Sequence, residues 1–175
     1  MVSKKFGFGC LAALFLFGCN EIEKILTFTI NDRTAIRIES TSPLTLPLEI
    51  ATPAVTSNSE QQYSNNNTRA DLVKDVRLDE VKLTITDPAT KTFSFLKTIR
   101  IYISSDQTNE IELASLENIS SQTGTLQLNP TQEKLDTYAK ASSYSLRTEI
   151  TTDETLTEAV DIQVDLRFLV TADTF

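Results

Sequence analysis

The chain holds few side chains able to do chemistry. It has no histidine and no tryptophan, and its two cysteines are Cys10 and Cys19. Without histidine there is no Ser-His-Asp arrangement and no zinc set of the His/Cys type. Gly124 is the only glycine after residue 18, so a glycine-rich phosphate loop is also excluded. Carboxylate, hydroxyl and amine chemistry remain. Glycoside hydrolysis uses two acids roughly 5–10 Å apart. Asp161 and Asp165 share one face of an alternating stretch, but four strand residues separate them by about 13 Å, which fits solvated surface charges better. Asp153, Glu154 and Glu158 offer oxygen ligands for calcium, without the glycine-turned loop of an EF-hand. Tyr63 and Tyr102 are the candidate exposed rings for stacking against a sugar. These patterns assign no catalytic residue, no cofactor ligand and no metal ligand.

Cys19 differs, because its neighbourhood specifies a reaction. Lys4 and Lys5 precede an apolar run over residues 6–17, and that run ends in Leu16-Phe17-Gly18-Cys19. A basic stretch followed by a short apolar one reads as a signal peptide. The run is too short to span a bilayer, which takes roughly 20 residues. Gly18 is small enough for a cleavage site, and Leu16 stands three before the cysteine. The motif resembles the bacterial lipobox, in which the cysteine sulfur is acylated before the chain is cut. Phe17 departs from it, since a smaller residue is commoner there. Cys10 has Gly7 at the corresponding place and is the poorer candidate. The resemblance implies a signal peptide over 1–18, lipidation of Cys19 and a lipidated tether over 19–24. Acyl chains on Cys19 would anchor the protein firmly, each buried methylene contributing about 0.8 kcal/mol. Asn20-Glu21-Ile22-Glu23-Lys24 reaches at most about 18 Å at 3.3–3.6 Å per residue, so the domain sits close to the membrane. Asn20 in place of Asp favours, as the resemblance implies, the outer membrane over inner-membrane retention. Glu21 and Glu23 form a weak acidic patch like some surface-export tags, which leaves the periplasmic leaflet and the cell surface both open.

Removing residues 1–18 leaves 175 − 18 = 157 residues, one domain's worth. The charge of that part is (16 − 2) − 24 = −10, because Lys4 and Lys5 leave with the signal. So acidic a chain is a poor partner for nucleic acid and is repelled by anionic head groups. It contains no disulfide, so packing alone must stabilise it.

From Ile25 onward the polarity alternates with period two, the mark of half-buried antiparallel strands. Leu26, Phe28 and Ile30 precede a turn expected at Asn31-Asp32, and Ile36 and Ile38 follow. Leu44, Leu46, Leu48 and Ile50 alternate around Pro47, which lacks a donor and so predicts an edge or bulged strand. Residues 52–67 read as a long polar loop, and Thr68 as the cap of a helix over 69–75. Val76 and Leu78 have one parity and Val81, Leu83 and Ile85 the other, which predicts a bulge near Asp79-Glu80. Phe93, Phe95 and Leu96 are expected to plug an end of the core. Ile99, Ile101 and Ile103 form the clearest strand, Asp106 to Asn109 a turn, and Ile111, Leu113, Leu126 and Leu128 two short strands. Asn129-Pro130 reads as a helix start, with the helix ending near Ala141. The alternation from Val160 to Val170 is the longest, and it is expected to form a hairpin with Tyr144, Leu146 and Ile150, with Arg147 facing Asp161 or Asp165. The sum is an all-β domain over 25–175, a single immunoglobulin-like antiparallel β-sandwich with one or two short helices. A closed barrel is the alternative. A transmembrane barrel is disfavoured by charged outer faces and too few strands.

Asn58-Ser59-Glu60, Asn67-Thr68-Arg69-Ala70-Asp71-Leu72, Leu83-Thr84-Ile85-Thr86-Asp87-Pro88, Phe93-Ser94-Phe95-Leu96-Lys97, Ile101-Tyr102-Ile103-Ser104 and Tyr144-Ser145-Leu146-Arg147 together resemble small uncharacterised lipoproteins of Bacteroidetes type. The resemblance covers most of the chain from about 25 to 172. It implies lineage and location, and carries over no catalytic residue. The expectation is a membrane-anchored, non-enzymatic binding or structural module of the cell envelope, held by acyl chains on Cys19. An envelope protein or a glycan would be its partner, reached for example through an edge strand. A carboxylate-based hydrolase and a lipid- or glycan-binding protein are the alternatives.

Overall fold

Among the described residues, alternating polarity resolves into nine strands: β1 (Ile25–Ile38), β2 (Leu48–Ala51), β3 (Val55–Thr56), β4 (Val73–Asp87), β5 (Leu96–Ser104), β6 (Ile111–Glu117), β7 (Thr125–Pro130), β8 (Ser143–Thr152) and β9 (Val160–Asp173). The short helices α1 (Ser59–Asn65) and α2 (Asp136–Ala139) join them. The computed structural model describes residues 25–40 and 47–175. Cys19, its tether and the signal stretch lie outside the described residues, as do Leu44 and Leu46.

The strands form a curled antiparallel sheet in the order β1-β9-β4-β7-β6-β5-β8-β2, with β3 on β8. The curl lays one half, β1-β9-β4-β7, over the other, β6-β5-β8-β2, as an all-β sandwich around one core. Tyr144 of β8 meets Phe168 of β9 edge to face with centroids 6.4 Å apart, so the two halves touch across the interior. β7 makes the corner. Its residues 125–128 pair with β4, whereas Asn129 and Pro130 pair with Ser115 and Ala114 of β6. A strand that switches sheets is a recognised way to turn such a corner. Among the described residues no ladder joins β1 to β2, so the sheet stays open and is not a closed barrel.

β9 is the spine of its half. β1 and β4 flank it along nearly its whole length, and Val160, Ile162, Val164, Leu166, Phe168, Val170 and Ala172 all point into the core. Ile99, Ile101 and Ile103 of β5 answer from the opposite half. Phe93, Phe95 and Leu96 are fully buried, as their sequence suggests. Each such side chain contributes about 1.5–3 kcal/mol by leaving water, and that must hold a domain without disulfides. The parity change in β4 is a bulge between Leu78 and Glu80. Asp79 is the extra residue, and it returns Val81, Leu83 and Ile85 to the face of Val76 and Leu78. Among the described residues β2, directly after Pro47, is an edge strand paired with β8 alone.

Four expectations about turns, loops and helices are overturned, each by a long-range partner. Asn31-Asp32 is no turn: β1 runs straight through it, Asn31 opposite Arg167 and Asp32 opposite Leu166. The polar stretch 52–67 contains β3 and α1, because Tyr63 buries its ring against Phe28 of β1. The helix expected over 69–75 shrinks to one 3-10 turn, Ala70–Leu72, since β9 draws Val73 onward into β4. The helix expected from Pro130 shrinks to α2. Asn129-Pro130 belongs to β7, and α2 is set instead by Leu135 N donating to Val76 O and by Val76 N donating to Asp136 Oδ1.

Candidate functional site

The expected β8-β9 hairpin does not form. β8 lies between β5 and β2, and β9 between β1 and β4, so Asp153 and Glu154 lie in a crossover between the two halves of the sandwich. Arg147 therefore meets neither Asp161 nor Asp165. It stands opposite Tyr102 and Ala51, and its guanidinium lies 4.1 Å from the centre of the Tyr102 ring. Glu110 at 2.7 Å, Glu49 at 3.1 Å and Glu149 at 3.7 Å surround it. Glu49 and Glu149 are direct cross-strand neighbours, a repulsive pairing that Arg147 neutralises. The hydrogen bond from Arg147 holds the Glu110 carboxyl below the ordinary glutamate range, against the opposing effect of partial burial.

On the outer face of the other half, charges sit in rungs across the β1-β9-β4 ladder. Arg37 donates to both oxygens of Asp161 at 2.7 Å, and Arg33 to Asp165 at 2.6 Å. Arg167 bonds Asp79 at 2.6 Å and also Glu80. Burial works against ionisation of Asp165, but bonds from Arg33 and Gln163, with the nearby Lys82 charge, hold its carboxyl below the ordinary range. Each aspartate suggested for acid-base work is thus claimed by an arginine of β1. Asn31, Arg33, Glu80, Lys82, Asp165 and Arg167 line an open groove of about 420 Å³ on this face.

Behind the groove lies a residue that alternation disguised. Asp32 shares its parity with Ile30 and Ile36 and so points inward. Its Oδ2 accepts a hydrogen bond of 2.8 Å from the buried Tyr144 hydroxyl, reached across 112 positions of sequence. Burial raises the Asp32 pKa, partly offset by this bond. Burial, and then the Asp32 charge, pushes the Tyr144 hydroxyl far above its usual range. Asp32, Tyr144, Ile103, Phe168 and Ser59 border a cavity of about 10 Å³. One water needs about 10–15 Å³, so the pair has no room for a substrate. It works as an internal polar clasp between the two halves of the sandwich. The only sequence signal for it is an acidic residue at an inward parity position.

The remaining candidates are dispersed. Tyr63 is buried rather than exposed, its hydroxyl donating 3.1 Å to Ala139 O, and burial pushes its pKa up to about 12. Tyr102 is half-buried under Arg147 and is not open for stacking. Glu154 faces Lys91 at 3.8 Å, and among the described residues no three acidic side chains gather as a metal site. Cys19 lies outside the described residues.

No family model and no curated protein matches the chain. Among solved structures, one from Desmodium yellow mottle tymovirus aligns over 100% of this chain and 95% of its own, at 12% identity and a TM-score of 0.28. A likeness that remote carries no argument about fold or function.

Proposed function

We propose that this protein is a membrane-anchored, non-enzymatic binding or structural module of the bacterial cell envelope, lipidated at Cys19, in the outer membrane. Leu16-Phe17-Gly18-Cys19 after a basic and apolar leader is the observation that carries this reading. The arrangement of charge supports it. Asp161 and Asp165 are tied up in rungs with Arg37 and Arg33, and the groove beside them alternates positive and negative groups. Such a face suits a polar partner whose own charges can exchange with these pairs, an envelope protein or a glycan. The lineage suggested by the sequence, a small lipoprotein of Bacteroidetes type, belongs to the same proposal.

Two measurements test it. Cys19→Ala should leave a protein that no longer partitions with membranes, and a variant that still partitions there would end the anchor reading. Crosslinking in intact cells followed by recovery of the lipoprotein should return a reproducible envelope partner, and failure to recover one counts against the binding role.

A further inference from the structure

The large exposed hydrophobic side chains gather toward one end of the sandwich. Among the described residues they are Phe175 at 73% exposure, Ile25 at 64% and Leu169 at 39%. Antiparallel pairing brings the start of β1, the end of β9 and the start of β4 to the same end, with Ile25 opposite Asp173 and Val73 opposite Ala172. Phe175 lies two residues past Asp173 and donates its backbone N–H to Asn67 O at 3.4 Å. Leu169 is on the outer face of β9, one step of four residues before Asp173. Two ion pairs rim this end, Lys74 with Asp173 at 2.8 Å and Arg69 with Asp71 at 2.7 Å.

Ile25 is also where the tether enters the domain. Five residues separate it from Cys19, and the 25 − 19 = 6 steps between the two reach at most about 22 Å. The end that carries the exposed apolar residues is therefore the end closest to any acyl chains on Cys19. We propose that this end lies against the bilayer, with Ile25 and Phe175 seated in the interfacial zone and the Arg69/Asp71 and Lys74/Asp173 pairs among the head groups. Paired charges of both signs match a zwitterionic head group, and the net charge of −10 for the part after residue 18, (16 − 2) − 24, opposes an anionic one. Lysine and arginine reach outward along such a boundary while their stems cover apolar surface. The inference rests on lipidation at Cys19 and adds an orientation: the β1-β9-β4 groove stands beside the membrane with its strands running away from it.

The absence of tryptophan makes the test clean, because a single introduced one reports from one place. Full-length lipidated protein carrying Phe175→Trp, and separately Thr90→Trp in the turn just past the far end of β4, is reconstituted into phosphatidylcholine vesicles with brominated acyl chains. Both positions are exposed, so neither change disturbs the core. The Phe175→Trp emission should shift to shorter wavelength and lose most of its intensity to bromine, while Thr90→Trp keeps the emission it has without bromine. Equal quenching of both, or of neither, in protein that floats with the vesicles overturns the orientation and leaves the anchor standing. Protein that does not float removes the anchor and the orientation together.

Discussion

Replacing Tyr144 by phenylalanine removes one oxygen and keeps the ring against Phe168. The lost group is the hydroxyl that donates to the inward Asp32 carboxylate, at 2.8 Å. A hydrogen bond to a charged group contributes about 1.5–3 kcal/mol. Asp32 is half-buried, so water recovers part of the loss and about 1–2 kcal/mol should remain. For a chain of this size about 2–4 °C of melting temperature accompanies each kcal/mol, so Tyr144→Phe should melt about 2–8 °C lower at neutral pH. The pH dependence has a definite sign. Burial raises the folded pKa of Asp32, so its favourable contribution is complete below the ordinary aspartate value and is lost as pH rises through the raised one. Asp32→Asn, which keeps an acceptor without the desolvated charge, should therefore gain on the wild type as pH rises through that window. Removing the Tyr144 hydroxyl takes away the bond that restrains the shift, so the Tyr144→Phe penalty should deepen with rising pH and shrink in acid. Thermal unfolding of wild type, both single variants and the double variant gives the coupling directly. A Tyr144→Phe protein that melts with the wild type at neutral pH, with no coupling in the cycle, would refute the clasp.

Other predictions concern packing and the Arg147 cluster. Phe95→Ala opens a cavity beneath a side chain with no solvent exposure and should cost about 3–5 kcal/mol, read as a lower urea midpoint with an unchanged slope. Arg147→Ala should return the Glu110 carboxyl upward toward the ordinary glutamate range, measured by NMR titration, and a Glu110 that stays depressed would show that Arg147 is not the cause.

Much of the fold is legible in the chain because alternation is a local property. β5 and β9 read as strands from their isoleucines and valines, and the β4 bulge from a parity change near Asp79. The ends of elements were harder. Asn31-Asp32, Asn129-Pro130 and Thr68 carry turn and cap chemistry, yet β9 and β6 offer the first two backbones ladder partners and β9 draws the chain after Thr68 into β4 from Val73 on, and many cooperative hydrogen bonds outweigh a local preference worth about 1 kcal/mol.

For the candidate site the division is sharper. The sequence alone determined that histidine, zinc-thiolate and glycine-loop chemistry are excluded, that the part after residue 18 is acidic and free of thiols, and that Cys19 sits in a lipobox-like setting. Only tertiary structure decided that Arg147 faces Tyr102 and Glu110 rather than an aspartate of β9, that Arg33 and Arg37 occupy Asp165 and Asp161, and that Asp32 turns inward to Tyr144. The physical reason is range. A strand's faces follow from its own period of two, whereas its neighbours depend on which other strands bury their apolar faces with it, and those partners lie up to 173 − 25 = 148 positions away, as Ile25 does from Asp173.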